Sequence, residues 1–379
     1  MNKRVFIIGG EESGDVHGAA LINELKAVMP GIQVEGMGGG RMRAAGLTGL
    51  DSKEVSVVGI AEVIEKLPRL WRAYNSLKRR LADGGFDAVV LIDFPDFNLH
   101  MARVAGRLGI PVIYYISPQV WAWRRGRIKT IARLVRKMLV VFPFEAALYE
   151  KAGVDVTYVG HPLVDMARTE ITGADARRSL GIDEASTVIS LLPGSRSGEI
   201  SRILPIMLNA GKAVNKALGR DVVYLLPAAA SIEDALLARF IGNSRIRPRI
   251  VRGAMYAALR ASDAAIVTSG TATLETALIG TPMAIVYKMS PLSAVFGRLL
   301  VRGRFVGLPN IVLNRAVVPE LLQEAATAAN ISRELVSLVS DVERRKAMLK
   351  GFDEVRAALG AGGAAHRAAV AVKEVMTQS

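Results

Sequence analysis

Two aspartates follow an apolar run in the segment LIDFPDFN, residues 91–98. The run predicts a buried strand, so Asp93 is expected just past the carboxyl end of that strand, where parallel sheets bind ligands. A carboxylate at this point suits a general base that takes a proton from an attacking hydroxyl. Asp96 and Asn98 are expected instead to begin or cap the next helix. Asp93 is therefore the predicted catalytic residue, and Asp96 stays open as the alternative base.

A glycine-containing turn follows another predicted strand in LLPGSRSGE, residues 191–199. Gly194 and Ser195 allow backbone amides to approach a phosphate, and the guanidinium of Arg196 adds a charged fork. The turn is not a Walker loop, because no Lys-Ser or Lys-Thr pair follows a second glycine at the required spacing. The segment therefore predicts a phosphate site of a different kind.

The segment IVTSGTATLETALIG, residues 266–280, repeats this arrangement. A small-residue turn at Ser269 and Gly270 precedes a helix that begins near Thr271, so backbone amides and the helix dipole both favour an anion. Glu275, one turn into the helix, could accept hydrogen bonds from two adjacent sugar hydroxyls. The alternative is a tight turn with a capping hydroxyl and a solvated glutamate. Two such turns at one sheet favour a diphosphate as the ligand.

The first predicted strand ends at the glycine-rich segment GGEESGD, residues 9–15. The segment lacks the G-x-G-x-x-G pattern, and no acidic residue ends a second strand at the usual distance, which disfavours a dinucleotide. Ser13 and Asp15 could hydrogen-bond a polar acceptor molecule there. The alternative is a turn that needs only the torsions of glycine.

Metal and thiol chemistry have little support in the sequence. There is no cysteine, and the four histidines (His17, His100, His161 and His366) do not lie at ligand spacing from one another. The sequence also lacks H-E-x-x-H and the Asp-x-Asp pair that would chelate a metal beside a nucleotide sugar. We therefore expect no metal and no cofactor, and a structural role for His161.

A basic segment with two tryptophans, SPQVWAWRRGRIKTIARLVRK, spans residues 117–137. Apolar residues recur at helical spacing (Ile128, Ile131, Val135 and Met138) while lysine and arginine cover the rest, which predicts a basic amphipathic surface helix. Such a charge run is often only a solvated face. Binding of nucleic acid would need an aromatic platform or a recognition motif, and the sequence has neither.

A second segment that mixes arginine with apolar residues is AVFGRLLVRGRFVGLP, residues 294–309. Together the two segments favour association with an anionic membrane surface. The residues predicted to face lipid are Trp121, Trp123, Arg124, Arg125, Arg127, Lys129, Arg298 and Arg302.

The length and composition of the chain indicate the number of domains and the class of partner. The chain has 379 residues, a formal net charge of +14 and 51% hydrophobic residues, which suits two globular domains with anionic partners or surfaces. The apolar run at the N-terminus ends at Ile8, too early for a signal peptide. The most apolar later stretch, residues 264–287, contains Glu275 and Pro282 and fits a buried strand–helix–strand better than a membrane span.

Short β-branched runs alternate with helical patterns in two successive series, separated by a hinge near residues 160–172. The alternation predicts an α/β fold with two doubly wound Rossmann-like domains that face a cleft and a helical C-terminal tail. The predicted limits are 1–165 for the first domain, 166–350 for the second and 351–379 for the tail, which could pack back on the first domain.

Nine segments, in order from residue 9 to about 313, resemble the lipid-A-disaccharide synthase family: GGEESGDVHGA, VVGIAEVIEKLPRL, DFPDFN, SPQVWAWRRGRIKTI, FPFE, GHPLVD, LLPGSRSGE, SGTATLE and GLPNI. The resemblance implies a metal-independent, inverting glycosyltransferase with a GT-B-like fold of two Rossmann-like domains. Its substrates would be UDP-2,3-diacylglucosamine and 2,3-diacylglucosamine 1-phosphate (lipid X), and its products UDP and a β-1,6-linked lipid A disaccharide 1-phosphate. The resemblance further implies a peripheral location at the cytoplasmic face of the inner membrane, no cofactor and no nucleic acid, and it allows a homodimer.

The resemblance also suggests roles for individual residues. Asp93 would accept the proton of the acceptor's 6-hydroxyl, while Ser13 and Asp15 would line the acceptor side. Glu275 would hold the ribose, and Asn310 of GLPN would contact the UDP moiety or the donor sugar. The full set expected to bind UDP and the donor is Gly194, Ser195, Arg196, Ser269, Gly270, Thr271, Glu275 and Asn310.

Two alternatives remain open at this stage. The first is another UDP-amino-sugar enzyme, such as a peptidoglycan glycosyltransferase or a UDP-N-acetylglucosamine 2-epimerase, which would share the fold and the nucleotide site. The second is a basic membrane-binding protein without catalysis, whose salt-sensitive binding would not depend on Asp93.

Overall fold

The computed structural model describes residues 3–52, 60–118, 120, 126–168, 171–289 and 304–378, with the backbone alone at 60–67. The chain divides into two compact units. The first unit comprises Met1–Asp165 together with Ala361–Ser379, and the second comprises Met166–Gly360. The division therefore falls after Asp165 and again after Gly360.

The first unit is built on a seven-stranded parallel sheet of order β3-β2-β1-β4-β5-β6-β7. Successive strands run outward from β1 in one direction and from β4 in the other, so the strand order reverses between these two neighbours. The strands are β1 Arg4–Gly9, β2 Gln33–Gly38, β3 Thr48–Asp51, β4 Ala88–Ile92, β5 Val112–Tyr115, β6 Lys137–Val140 and β7 Val156–Tyr158.

Helices cover both faces of this sheet, as a parallel sheet with buried strands requires. All five residues of β4 are buried, which explains why its sequence is continuously apolar. The helices of this part of the chain are α1 Glu12–Val28, α2 Gly40–Ala44, α3 Ile60–Asp83, α4 Pro95–Arg107, α5 Arg127–Leu134, α6 Pro143–Glu150 and α7 Leu163–Met166.

The last helix of the chain, α16 (Ala364–Gln378), belongs to the first unit and packs against α1. The carboxylate of Asp165 accepts the backbone N–H groups of Gly363 and Ala364, which satisfies amides at the start of this helix. The guanidinium of Arg367 donates to the carbonyl of Val159. These contacts fix the returning chain to the end of the first unit's own sheet.

The second unit has a six-stranded parallel sheet of order β10-β9-β8-β11-β12-β13, in which the strand order reverses between β8 and β11. Its strands are β8 Val188–Leu192, β9 Val223–Ala228, β10 Arg249–Arg252, β11 Ala264–Thr268, β12 Met283–Tyr287 and β13 Glu320–Leu322. Its helices are α8 Gly173–Ser179, α9 Ser197–Leu218, α10 Asp234–Ile241, α11 Met255–Ala261, α12 Thr271–Ile279, α13 Leu308–Leu313, α14 Ala328–Ser340 and α15 Val342–Ala358, with a 3-10 turn at Gln323–Ala325.

The predicted alternation of strands and helices in two series is confirmed. One helix differs from its prediction, because α5 ends at Leu134. Val135 and Met138 therefore lie outside it, and Met138 is a buried residue of β6 instead. In the part of the chain that the structure describes, no helix combines the length and the apolar character that crossing a membrane requires.

Candidate functional site

The carboxyl ends of β1 and β4 are neighbours in the first unit, because Gly9 pairs with Ile92 in the parallel register. The strand order reverses at this pair. In open α/β sheets such a reversal leaves a crevice between the loops that follow the two strands, and ligands bind there. One loop carries Gly10 and Glu11, and the other carries Asp93.

Asp93 lies in a tightly held turn. It and Phe94 both have left-handed backbone torsions, with φ of 46° and 47°. Such torsions are unfavourable for residues with a Cβ and persist where the surroundings hold them. The carbonyl of Asp93 accepts hydrogen bonds from Asn98 Nδ2 at 2.7 Å and from the Tyr114 hydroxyl at 2.6 Å. The Asp93 backbone is therefore fixed from both α4 and β5.

The carboxyl group of Asp93 has an unusual environment. Burial raises its pKa to about 6, and the negative charge of Glu11 acts in the same direction. A hydrogen bond from the Phe94 backbone acts in the opposite direction. A carboxyl that ionises near neutral pH is suited to accept a proton in a reaction.

The structure corrects the expectation for Asp96 and Asn98, because neither begins or caps α4. Pro95 is the first residue of that helix and Phe94 is its N-cap, without a side-chain hydrogen bond. Asp96 is exposed and forms an ion pair with Arg127. Asn98 is fully buried, and its side-chain amide donates to the carbonyl of Ile92, at the end of β4, and to the carbonyl of Asp93.

Ser13 and Asp15 both lie in the first turn of α1. Ser13 is exposed there. Asp15 is buried, and its two carboxylate oxygens accept the backbone N–H groups of Arg41 and Met42 at 3.0 and 2.9 Å. The carboxylate therefore satisfies the start of α2, so its oxygens are already engaged.

Two histidines of the first unit are buried and close enough to interact. Burial lowers the pKa of His17 to about 4, and burial together with His17 lowers the pKa of His161 to about 3. Both imidazoles are therefore neutral at neutral pH. The backbone N–H of Leu163 donates to His161 Nδ1 at 3.2 Å. Across the described ranges, no group of three His, Asp or Glu side chains is arranged to hold a metal ion.

In the second unit, the two predicted phosphate turns follow adjacent strands, since β8 pairs with β11. Gly194 has a φ of 109°, and a Cβ there would lie 2.3 Å from Glu199 Oε2, so the turn requires glycine. The same oxygen accepts the Ser195 N–H at 3.2 Å, and the other carboxylate oxygen lies 3.3 Å from Arg196. The side chain of Arg196 is 68% exposed.

The second turn lies at the start of α12. Gly270 and Thr271, at the start of the helix, are exposed residues. The hydroxyl of Ser269 donates to the carbonyl of Val306 at 2.9 Å, and the hydroxyl of Thr273 donates to the carbonyl of Gly270 at 2.7 Å. The turn is thus stabilised by side chains, and its exposed residues begin a helix, whose N-terminus is the kind of site that favours an anion.

Glu275 is half-buried on α12, and its Oε1 accepts a hydrogen bond from the Tyr256 hydroxyl at 2.8 Å. Burial raises the pKa of Glu275, and the bond from Tyr256 acts in the opposite direction. The Glu275 carboxylate is therefore anchored by one oxygen.

Asn310 is fully buried, and both ends of its amide have partners inside the second unit. Its Nδ2 donates to the carbonyl of Val318 and to Glu320 Oε1, while its Oδ1 accepts the N–H groups of Val317 and Val318. Glu320 in turn accepts the N–H of Gly307 at 2.9 Å. The Asn310 amide thus holds the segment between α13 and β13, and Glu320 joins that segment to Gly307, just before α13.

Most of the residues predicted to face lipid lie outside the described residues, namely Trp121, Trp123, Arg124, Arg125, Arg298 and Arg302. Of the other two, Lys129 is exposed, and Arg127 is half-buried in its ion pair with Asp96.

Sequence patterns did not reveal four residues of these sites: Glu11, Glu199, Tyr256 and Glu320. Glu11 lies in GGEESGD and Glu199 in LLPGSRSGE. In both motifs, a charged residue close to a glycine turn could have indicated a role at the site. Tyr256 and Glu320 are distant in sequence from their partners, so no local pattern could have pointed to them.

Comparison with known proteins supports one family. The family model described as lipid-A-disaccharide synthetase matches residues 5–375. A lipid-A-disaccharide synthase of Syntrophus aciditrophicus is 44% identical over 380 residues, which covers 100% of this chain and 99% of that protein.

Solved structures show the fold. A UDP-N-acetylglucosamine 2-epimerase of Neisseria meningitidis bound to UDP-N-acetylglucosamine has a TM-score of 0.64 at 12% identity, over 99% of this chain and 100% of that one. The MurG protein of Acinetobacter baumannii has a TM-score of 0.55 at 16% identity, over 98% and 99% of the two chains. Likeness at these identities confirms the predicted GT-B-like α/β class and nothing about activity.

The full-length sequence match favours neither alternative enzyme, and it confirms the prediction of a glycosyltransferase of lipid A biosynthesis. The chain belongs to the lipid-A-disaccharide synthase family.

Proposed function

We propose that this chain transfers 2,3-diacylglucosamine from its UDP derivative to the 6-hydroxyl of 2,3-diacylglucosamine 1-phosphate. The products would be UDP and a β-1,6-linked disaccharide 1-phosphate. The observation that carries the proposal is Asp93, a carboxyl with a pKa of about 6 at the strand reversal of the first unit, in a chain of this family.

Asp93 is proposed as the general base. The acceptor's 6-hydroxyl loses its proton to the Asp93 carboxylate while its oxygen bonds to the anomeric carbon of the donor. The bond from that carbon to the diphosphate oxygen breaks, and UDP leaves with the electron pair. Attack from the face opposite UDP converts an α-linked donor into a β-linked product.

The second unit is proposed to hold UDP. The charge of the leaving diphosphate would be stabilised by the amides of the exposed residues Gly270 and Thr271 and by the turn of Gly194 and Ser195, with Arg196 as the cationic group. Glu275 would accept hydrogen bonds from the ribose. The roles proposed for Ser269 and Asn310 are indirect, because their polar atoms already support the loops around this site.

The first unit is proposed to line the acceptor side of the reaction. Ser13, exposed in the first turn of α1, would hydrogen-bond the acceptor. Asp15 would act by fixing the start of α2, since both its oxygens are bonded there.

We also propose that the protein acts at the cytoplasmic surface of the inner membrane, where its lipid substrates reside. An exposed aromatic residue supports this location, because Trp71 on α3 is 68% exposed between the exposed arginines Arg69 and Arg72. Tryptophan suits the membrane interface, and each basic side chain near anionic lipid contributes about 1 kcal/mol. The net charge of +14 acts in the same direction.

The test is release of UDP from UDP-2,3-diacylglucosamine with and without lipid X. We expect release only with lipid X, and release without an acceptor would overturn the proposed transfer. Asp93→Asn should abolish turnover and leave the Kd of UDP within a few-fold, whereas Asp96→Asn should retain turnover. The reverse result for the two variants would make Asp96 the base.

A further inference from the structure

Glu275 receives its hydrogen bond from a residue that no motif of the sequence includes. Tyr256 lies in the first turn of α11, and its hydroxyl is 2.8 Å from Glu275 Oε1. The helices α11 and α12 pack against each other. Each begins just after a strand of the same parallel sheet, so both residues lie near the sheet's carboxyl edge.

The contact restricts a side chain that would otherwise turn freely. A glutamate has three rotatable side-chain torsions, and the terminal torsion is broad. Tyr256 is the one hydrogen-bonding partner of the Glu275 side chain in the part of the chain that the structure describes. Glu275 Oε2 and the second lone pair of Oε1 therefore remain able to accept further hydrogen bonds.

The hydrogen bond from Tyr256 also affects the ionisation of the Glu275 carboxyl. Burial raises the pKa of this carboxyl, and the hydrogen bond from Tyr256 favours the ionised form. An ionised carboxylate is an acceptor only, whereas a protonated one donates from one oxygen. Two acceptor oxygens in a fixed plane match two adjacent hydroxyl donors, which is the arrangement of a ribose 2′,3′-diol.

We propose that Tyr256 is a positioning residue that holds Glu275 so that the second unit selects a ribonucleotide over a 2′-deoxyribonucleotide. The inference rests on the proposed function, because it takes Glu275 as the residue that binds the ribose. With Glu275 fixed, loss of the 2′-hydroxyl leaves a partly buried carboxylate oxygen without a donor, which a freely turning carboxylate would avoid.

The test compares the Kd of UDP with the Kd of 2′-deoxy-UDP by calorimetry. We expect the wild-type protein to bind UDP more tightly, and Tyr256→Phe to reduce the ratio of the two constants about tenfold, since a hydrogen bond to a charged group is involved. The matched control is Tyr224→Phe. That tyrosine lies in the same unit, and its hydroxyl is 2.8 Å from the carbonyl oxygen of Gly211 and 2.7 Å from Asn215 Oδ1, so its loss should leave the ratio unchanged.

If Tyr256 only stabilised the fold, Tyr256→Phe would weaken the binding of UDP and of 2′-deoxy-UDP equally, and the ratio of the two constants would not change. An unchanged ratio would therefore overturn the inference. Glu275→Gln should lower the ratio as well, and adding Tyr256→Phe to it should lower the ratio no further, because both changes remove one interaction. Additive effects in the double variant would also overturn the inference. Failure of the wild-type protein to bind UDP would contradict the proposed function instead.

Discussion

The side-chain amide of Asn98 donates to the backbone carbonyl of Asp93 at 2.7 Å and so joins the first turns of α4 to the end of β4. A second hydrogen bond from the same amide reaches the carbonyl of Ile92 at 3.2 Å. Asp93 has a left-handed φ of 46°, which is costly without such support. Asn98 therefore positions the proposed base by holding its backbone.

Asn98→Ala should lower kcat about tenfold and leave the Kd of UDP unchanged, because the Asp93 turn relaxes while the second unit is untouched. It should also cost about 1–3 kcal/mol of stability, since two buried carbonyls lose a donor. Steady-state kinetics and urea unfolding measure the two effects. Asn215→Ala, which removes one of the two acceptors near the Tyr224 hydroxyl, should reduce stability but not kcat. Equal losses of kcat in both variants would show that Asn98 only stabilises the fold.

Activity should rise with pH through about 6 and then level off, because Asp93 must be ionised to accept a proton and burial raises its pKa to that value. Glu11 contributes to this shift by its negative charge. Glu11→Gln should therefore move the acid limb of the kcat–pH profile down by a few tenths of a unit, a small shift because Glu11 is exposed. Glu12→Gln makes the same change of charge one residue later and should move the limb less. If the acid limb of the kcat–pH profile did not move in Glu11→Gln, Glu11 would have no influence on the pKa of Asp93.

Local sequence patterns were sufficient where burial alone determines the structure. The strand β4 is a continuous apolar run, and both it and the following Asp93 lie where the pattern predicted. The strand β2 has no such run, because its sequence QVEGMG contains two glycines, which resemble a turn signal. One of them, Gly36, has a φ of 140°, and a Cβ there would lie 2.0 Å from the carbonyl oxygen of Ile7, so close approach of β1 and β2 requires glycine.

Functional side chains were predicted by type, but their partners were not. Asp15 was expected to face a ligand, and both its oxygens are used by amides at Arg41 and Met42. Such pairs form only after the chain folds, since 26 residues separate Asp15 from Arg41. Spacing in sequence cannot indicate which polar group a distant loop will bring alongside.

Trp71→Ser should weaken binding to vesicles that contain anionic lipid, because an exposed indole loses its contact with the membrane interface. We expect a loss of about tenfold in the partition coefficient, measured by sedimentation with the vesicles, at unchanged kcat for substrates dispersed in detergent. The control is Val342→Ser. Val342 is also an exposed apolar residue, but it lies on the second unit, whereas Trp71 lies on the first. Equal binding by wild type and Trp71→Ser would place the membrane contact elsewhere on the protein.

The carboxylate of Glu199 occupies the phosphate turn of the second unit. Its oxygens lie 3.2 Å from the Ser195 nitrogen and 3.3 Å from the guanidinium of Arg196, the same donors that a diphosphate would use. A negative group already bonded to these donors competes with an incoming anion, and the two charges repel each other. Binding of UDP must therefore displace or tolerate this carboxylate.

Glu199→Gln should tighten the binding of UDP about fivefold, because the amide carries no charge to repel the diphosphate, an effect of about 1 kcal/mol. Uridine, which lacks the phosphates, should bind both proteins equally, and calorimetry with the two ligands separates the phosphate effect from a general change in the site. The control is Glu343→Gln, which makes the same change of net charge at an exposed residue of α15. It should change the affinity neither for UDP nor for uridine. Weaker binding of UDP by Glu199→Gln would reverse the assignment, because the carboxylate would then serve to aim Arg196 at the phosphates rather than to compete with them.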